Sequence, residues 1–140
     1  SATFHARDIL APVAAHLACG TDPALLGPVL TELRTLDFPR PAVRDNRLEG
    51  EVVYIDSFGN CLTNLTRADL EALSRDRSAI RVTAGGRTMA GIQSTYGAVE
   101  EGSPVALVGS SGHLEIAIHC GHAARAFDLA IGAPVAATKV

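Results

Sequence analysis

The chain has 140 residues and a formal net charge of -3, with 12 Lys+Arg against 15 Asp+Glu. That length can bury one core, with or without an appendage, and the acidic balance, lacking any Lys/Arg cluster, argues against a nucleic-acid footprint. Hydrophobic residues make up 47% and charged residues 19%, as in a globular protein, and no apolar run approaches the roughly eighteen residues of a membrane span, so no membrane partner is expected. Aromatic residues are scarce at 4%, with no Trp, so each Phe or Tyr in a polar setting draws attention. Cys19, Cys61 and Cys120 form no CxxC pair and read as reduced thiols of a cytoplasmic protein.

In chain order, Thr3-Phe4 reads as the end of a strand, followed by a helix capped by Asp8, running to about Cys19 and stopped by Gly20. Its face Ile9, Val13, His16 and Leu17 is apolar apart from the histidine. The chain starts at Ser1 directly on this motif-like stretch, so an upstream segment is expected. Residues 28–47 carry Pro28, Pro39 and Pro41 without clear periodicity and read as a linker. Beyond Leu48 strands are expected at GEVVYID, NCLTNL, SAIRVTA, RTMAGIQS, SPVALVG, HLEIAIH and PVAATKV, bounded by glycines as in a small barrel or sandwich. One helix, TRADLEALSR, interrupts them with a Thr66/Asp69 capping box, and GHAARAFDL is a candidate for a short second one.

Three stretches place polar residues at prominent positions. TFHARD gathers Phe4, His5, Arg7 and Asp8 at an expected strand-to-helix junction, where free N–H groups and a rigid mount favour catalysis. YIDSFGN reads equally as a hairpin, with Asp56 opening the turn and Gly59 at positive φ, or as Asp56, Phe58 and Asn60 aimed at a ligand. VGSSGHLEIAI offers hydroxyls and backbone N–H groups suited to a carboxylate or phosphate, although tight turns favour Ser and Gly anyway. HCGH at 119–122 lacks the paired cysteines or second His pair of a structural zinc site, so no metal is expected. P-loop, GxGxxG and GxSxG motifs are absent.

Taken together and in order, TFHARD…APVAAHLACG, GEVVYIDSFGNCLTNL and ALVGSSGHLEIAI resemble the S-adenosylmethionine (SAM) hydrolases, or SAM hydroxide adenosyltransferases, relatives of the SAM-dependent fluorinase and chlorinase. The resemblance maps onto the later half of that family's chain. It implies a mainly β fold: residues 1–27 as the end of an N-terminal α/β domain, 28–47 as linker and 48–140 as the C-terminal β-barrel domain.

It also implies SAM, adenosine and L-methionine as ligands, no metal or redox cofactor, and a homotrimer with each site shared between one subunit's N-terminal domain and its neighbour's barrel. Asp56 would hold the methionine ammonium, and Ser110 and Ser111 its carboxylate. Phe58, Asn60, Tyr96 and Cys120 would line the nucleoside. His5, flanked by Phe4 and Ala6 at the substrate, would be catalytic with an Asp and an Arg upstream of residue 1. The family's Gly after that histidine is Ala6 here, which adds a methyl near the nucleophile site.

The activity implied is hydrolysis of SAM to adenosine and L-methionine by water attack at C5′, completed by the N-terminal half. The alternatives are a SAM-dependent halogenase, which His5 in place of the usual Tyr argues against, and a non-catalytic nucleoside-binding or oligomerising barrel fragment.

Overall fold

From Ile80 to Ala84 the side chains alternate, Ile80, Val82 and Ala84 buried and Arg81 exposed, as a half-buried strand requires. The computed structural model describes all 140 residues and divides into two units, Ser1–Leu36 and Asp37–Val140.

The first unit is helical. Residues Ala6–Leu10 wind with the wider π pitch and run directly into the α-helix α1 (Ala11–Ala18). Ala11 N–H reaches back to the Ala6 carbonyl, and Pro12, with no N–H to give, follows at once. Gly20, at φ +83°, ends the segment as expected. Two expectations are corrected here. Thr3-Phe4 is not a strand: the unit Ser1–Leu36 offers it no partner strand, and the Phe4 carbonyl instead accepts from Asp8 N–H at 2.9 Å. Nor does Asp8 cap the helix, because the winding has already begun at Ala6, with His5 in the cap position and making no side-chain cap bond.

The second unit carries all the strands. They are β1 (Ala42–Arg44), β2 (Arg47–Ile55), β3 (Cys61–Thr66), β4 (Ile80–Ala84), β5 (Arg87–Ala90), β6 (Pro104–Val108), β7 (His113–Ile118) and β8 (Pro134–Lys139). Every named pairing is antiparallel, in the order β5-β4-β8-β2-β3-β7-β6 with β1 added to β2. The two ends of this path approach each other. Gln93, just after β5, donates its N–H to the Ala106 carbonyl at 2.8 Å and forms an isolated parallel bridge with Leu107 of β6. The result is a nearly closed, barrel-like sheet, which removes most of the exposed edge an open sheet would present. Val52, Leu65, Ile80, Val82, Leu114 and Ile116 fill its interior.

Most expected strands form within a few residues of their expected limits, and the exceptions have local causes. RTMAGIQS forms a strand only as far as Ala90, because Gly91 adopts φ +74° and turns the chain toward the closing bridge at Gln93. Part of the stretch read as linker is sheet: Ala42–Arg44 pairs with β2 across a tight turn in which Asp45 takes φ +50°. Asp and Asn tolerate that left-handed backbone better than most residues, so Asp45-Asn46 works as a hairpin turn. Buried Asn64 ties the preceding segment down, its Oδ1 accepting from Glu51 N–H at 2.8 Å and its Nδ2 donating to the Pro39 carbonyl at 3.1 Å. Gly50 makes room for it, since a Cβ there would collide with Asn64 Oδ1.

Two helices decorate this unit. In α2 (Arg67–Leu73) Thr66 Oγ1 accepts from Asp69 N–H at 3.2 Å while Asp69 Oδ2 accepts from Thr66 N–H at 2.8 Å, the reciprocal cap expected from the sequence. The other, α3 (Ala123–Ala126), is a single turn started by His122, whose Nδ1 accepts from Arg125 N–H at 3.3 Å.

Candidate functional site

Asp56 sits where β2 ends, in the loop that returns the chain to β3. The loop is closed by Asp56 N–H to the Asn60 carbonyl at 3.0 Å and Gly59 N–H to the Asp56 carbonyl at 3.1 Å. The carboxylate organises it further: Oδ1 accepts from the N–H groups of Phe58 and Asn60, both at 2.9 Å. Oδ2 accepts the Asn60 side-chain amide at 2.9 Å. Asp56 is therefore a turn residue in the full sense. It also keeps free acceptor capacity on a lining wall, because a carboxylate has about four lone-pair sites and three donors do not exhaust them.

Asp56, Asn60, Ser110 and Ser111 come together around a narrow cavity of about 200 Å³, with Tyr54, Leu62 and Glu115. Register explains the gathering. Tyr54 pairs with Leu62, and Leu62 with Glu115, so one row across β2, β3 and β7 brings these three residues together. The serine turn between β6 and β7 is closed by Gly109 N–H to His113 and Gly112 N–H to Gly109, both at 3.0 Å, and neither bond uses a serine hydroxyl.

A second, wider cavity of about 590 Å³ shares Asn60 and is lined by Phe58, Tyr96, Ile118, Cys120, Gly121 and His122. Phe58 is 74% exposed, an unusual state for a phenylalanine without an apolar partner. This cavity thus offers flat apolar surface beside an amide, and its narrow neighbour offers a carboxylate beside two hydroxyls. Together they suit an amphipathic ligand with an aromatic end and a charged end.

Tyr96 donates its hydroxyl to Glu115 Oε2 at 2.6 Å, and that bond, then burial, then the charges of Glu115 and Asp56 push the phenol up to about 12. The imidazole of His122 packs where a side chain on Gly59 would stand. His119 places Nδ1 2.9 Å from the Val99 carbonyl oxygen, which makes that nitrogen the N–H donor. Cys120 is exposed with φ +55°.

Cys61 is buried under the loop, and burial, aided by the Asp56 charge, pushes its thiol up from 9.0 to about 11. A raised thiol pKa means the folded state favours the protonated form. That contribution is complete below pH 9.0 and is lost as pH rises through about 11. At pH 8 a thiol reagent should modify exposed Cys19 and Cys120 promptly and Cys61 only slowly. Three equally fast thiols in the folded protein would show that this burial is wrong.

Phe4, His5 and Ala6 belong to the first unit. There the Arg7 guanidinium lies 4.7 Å from the Phe4 ring centroid and pairs with the Asp8 carboxylate at 2.6 and 3.0 Å, holding that carboxyl below its usual range. Arg7 and Asp8 are thus engaged with each other. Glu115, His122, Tyr54 and Ile118 were missed by sequence reasoning. Glu115 carried a signal as the lone carboxylate in the apolar alternation of HLEIAIH, and His122 and Tyr54 lay in stretches already singled out, HCGH and YIDSFGN.

Residues 50–136 match the family model described as the SAM hydroxide adenosyltransferase C-terminal domain. The chain is 43% identical over 135 residues to the (R)-S-adenosyl-L-methionine hydrolase of Thermus thermophilus, covering 96% of this chain and 48% of that protein. It is 38% identical over 126 residues to the (R)-S-adenosyl-L-methionine hydrolase of Salinispora tropica, covering 89% and 46%. It is also 30% identical over 145 residues to a fluorinase of Actinoplanes sp., covering 98% and 49%. Among solved structures it resembles an uncharacterized conserved protein from Thermotoga maritima, with TM-score 0.69, 32% identity, and 99% and 54% coverage. A conserved hypothetical protein from Thermus thermophilus gives TM-score 0.60, 39% identity, and 97% and 52% coverage. The chain spans about half the length of the curated relatives it matches.

Proposed function

The chain belongs to the SAM hydroxide adenosyltransferase family, and from that premise we propose that it supplies the SAM-binding wall and the general base of a SAM hydrolase. The observation that carries this reading is the pair of cavities sharing Asn60, one aromatic and one acidic with paired serines. Adenine lies against Phe58 and Tyr96 in the wide cavity, near Cys120, with its polar edge toward Asn60. In the narrow cavity the ammonium meets Asp56 and the methionine carboxylate meets the Ser110-Ser111 turn.

The chemistry asks little more than placement. The sulfonium already makes methionine a good leaving group, so water held in line behind C5′ displaces it as the C–S bond breaks. His5 takes the proton, a task suited to an imidazole, while Phe4 and Ala6 border the reacting carbon. The products are adenosine and L-methionine, with no cofactor. The reaction is completed by an N-terminal half of the protein in a homotrimeric assembly, and the 140 residues alone turn nothing over. Three free cysteines fit a cytoplasmic setting, and no helix is long and apolar enough to cross a membrane.

The test uses the protein carrying both halves, incubated with SAM and analysed for adenosine and methionine. His5→Ala should lower the rate by about 10²–10⁴-fold, the usual worth of a general base. Undiminished adenosine formation by that variant would remove His5 from the mechanism. A halide-dependent 5′-halogenated nucleoside would replace the hydrolase reading with a halogenase, and no binding of SAM would leave a barrel with another ligand.

A further inference from the structure

The hydrogen bond between Tyr96 and Glu115 links the two cavities, because Tyr96 lines the wide one and Glu115 the narrow one. The tyrosine is 40% exposed and sits in a short 3₁₀ turn, Tyr96–Ala98, so packing alone holds its ring loosely. Glu115, by contrast, is firmly mounted. Its strand is paired on both sides, Glu115 opposite Leu62 on β3 and opposite Leu107 on β6. Its carboxylate also fills the space that Gly109 leaves, where a Cβ would collide with Oε1 and lie 2.6 Å from Cδ.

Asp56 stands in the same narrow cavity, already hydrogen-bonded to Asn60. Two polar pairs therefore flank the two cavities, each made of a carboxylate and the neutral partner that lines the nucleoside side. SAM carries two cationic centres, an ammonium and a sulfonium, and the sulfonium lies between its nucleoside and amino-acid parts. Two carboxylates match that count, and the Tyr96–Glu115 bond joins the lining of one cavity to that of the other.

We infer that Glu115 is a positioning and specificity-determining residue. It holds the Tyr96 ring as the wall between the cavities, and its charge makes the junction prefer a sulfonium to a neutral ligand. The ligand half of this inference rests on the SAM reading above; the positioning half stands without it.

The two halves can be read separately. In the ligand-free chain, the ¹³Cζ resonance of Tyr96 at pH 7, assigned with Tyr96→Phe, reports the phenol's hydrogen bond. It should move in Glu115→Ala and, by less, in Glu115→Gln, which keeps an acceptor. An unmoved resonance in both variants would overturn the positioning role whatever the ligand is. In the protein with both halves, Glu115→Gln should raise the KM for SAM roughly tenfold without lowering kcat, because the sulfonium charge fades as the C–S bond breaks, and should leave the affinity for adenosine within about twofold of the parent. Glu115→Ala should weaken adenosine as well, because the ring loses its tether. Equal losses for SAM and adenosine in Glu115→Gln would overturn the charge preference. A parent protein that binds adenosine but not SAM would overturn the SAM reading and the charge preference with it, while the resonance still decides the positioning role.

Discussion

Alanine at position 56 is expected to weaken SAM binding by the complete site at least about 30-fold while costing the barrel only part of its stability. The ammonium would lose the carboxylate that meets it, and truncating one member of a desolvated charge pair costs about 2–5 kcal/mol, or roughly 30- to 5000-fold in affinity. The turn would lose the acceptor for the Phe58 and Asn60 N–H groups and for the Asn60 amide. Those three bonds are worth about 2–4 kcal/mol together. Asp56→Asn separates the two roles: its carbonyl oxygen can still accept both backbone N–H groups, so the turn survives, while the charge is gone. Calorimetric titration with SAM and urea unfolding of the parent and the two variants should therefore give different rankings. If the Asp56→Asn variant bound SAM as tightly as the parent, Asp56 would be a turn residue alone.

Replacing Gly59 by alanine is the second large effect, and it strikes fold and site together. Gly59 has φ +85°, and a Cβ there would run into the His122 imidazole. Forcing an L-residue into that backbone costs about 1–2 kcal/mol. Displacing the ring adds a further cost of about 1–3 kcal/mol, as overpacking does elsewhere. His122 also caps α3 through Arg125 N–H, and the Gly59 carbonyl accepts from Ala124 N–H at 3.0 Å, so the disturbance spreads to the floor of the wide cavity. Gly86→Ala is the control, with φ +70° and open space around the added methyl. Urea unfolding should place Gly59→Ala clearly below Gly86→Ala, and equal losses would mean that backbone strain is the whole effect.

Much of this was legible in residue order. The Thr66/Asp69 capping box, the strands from Glu51 to Lys139 and the turn at Asp56-Gly59 each depend on neighbours within a few positions. Local chemistry is enough for such features, because a cap needs only a hydroxyl and a carboxylate three residues apart. The same locality misled at Thr3-Phe4, where a strand-like dipeptide has nothing to pair with. It also misled at Asp8, a good capping residue standing inside a helix that began earlier.

The sequence by itself determined that Asp56, Phe58 and Asn60 share one loop and that Ser110 and Ser111 share another, since each set lies within five positions of chain. Only the tertiary structure decided that the two loops border one cavity, that Glu115 grips Tyr96 from 19 residues away, and that His122 stands over Gly59. These meetings follow from the register of β2, β3 and β7 and from closure of the sheet at Gln93. A strand's alternation says which face a side chain takes but not which residue stands opposite it. That second fact is fixed by pairing across the whole barrel, where one residue of slip would turn every side chain to the other face.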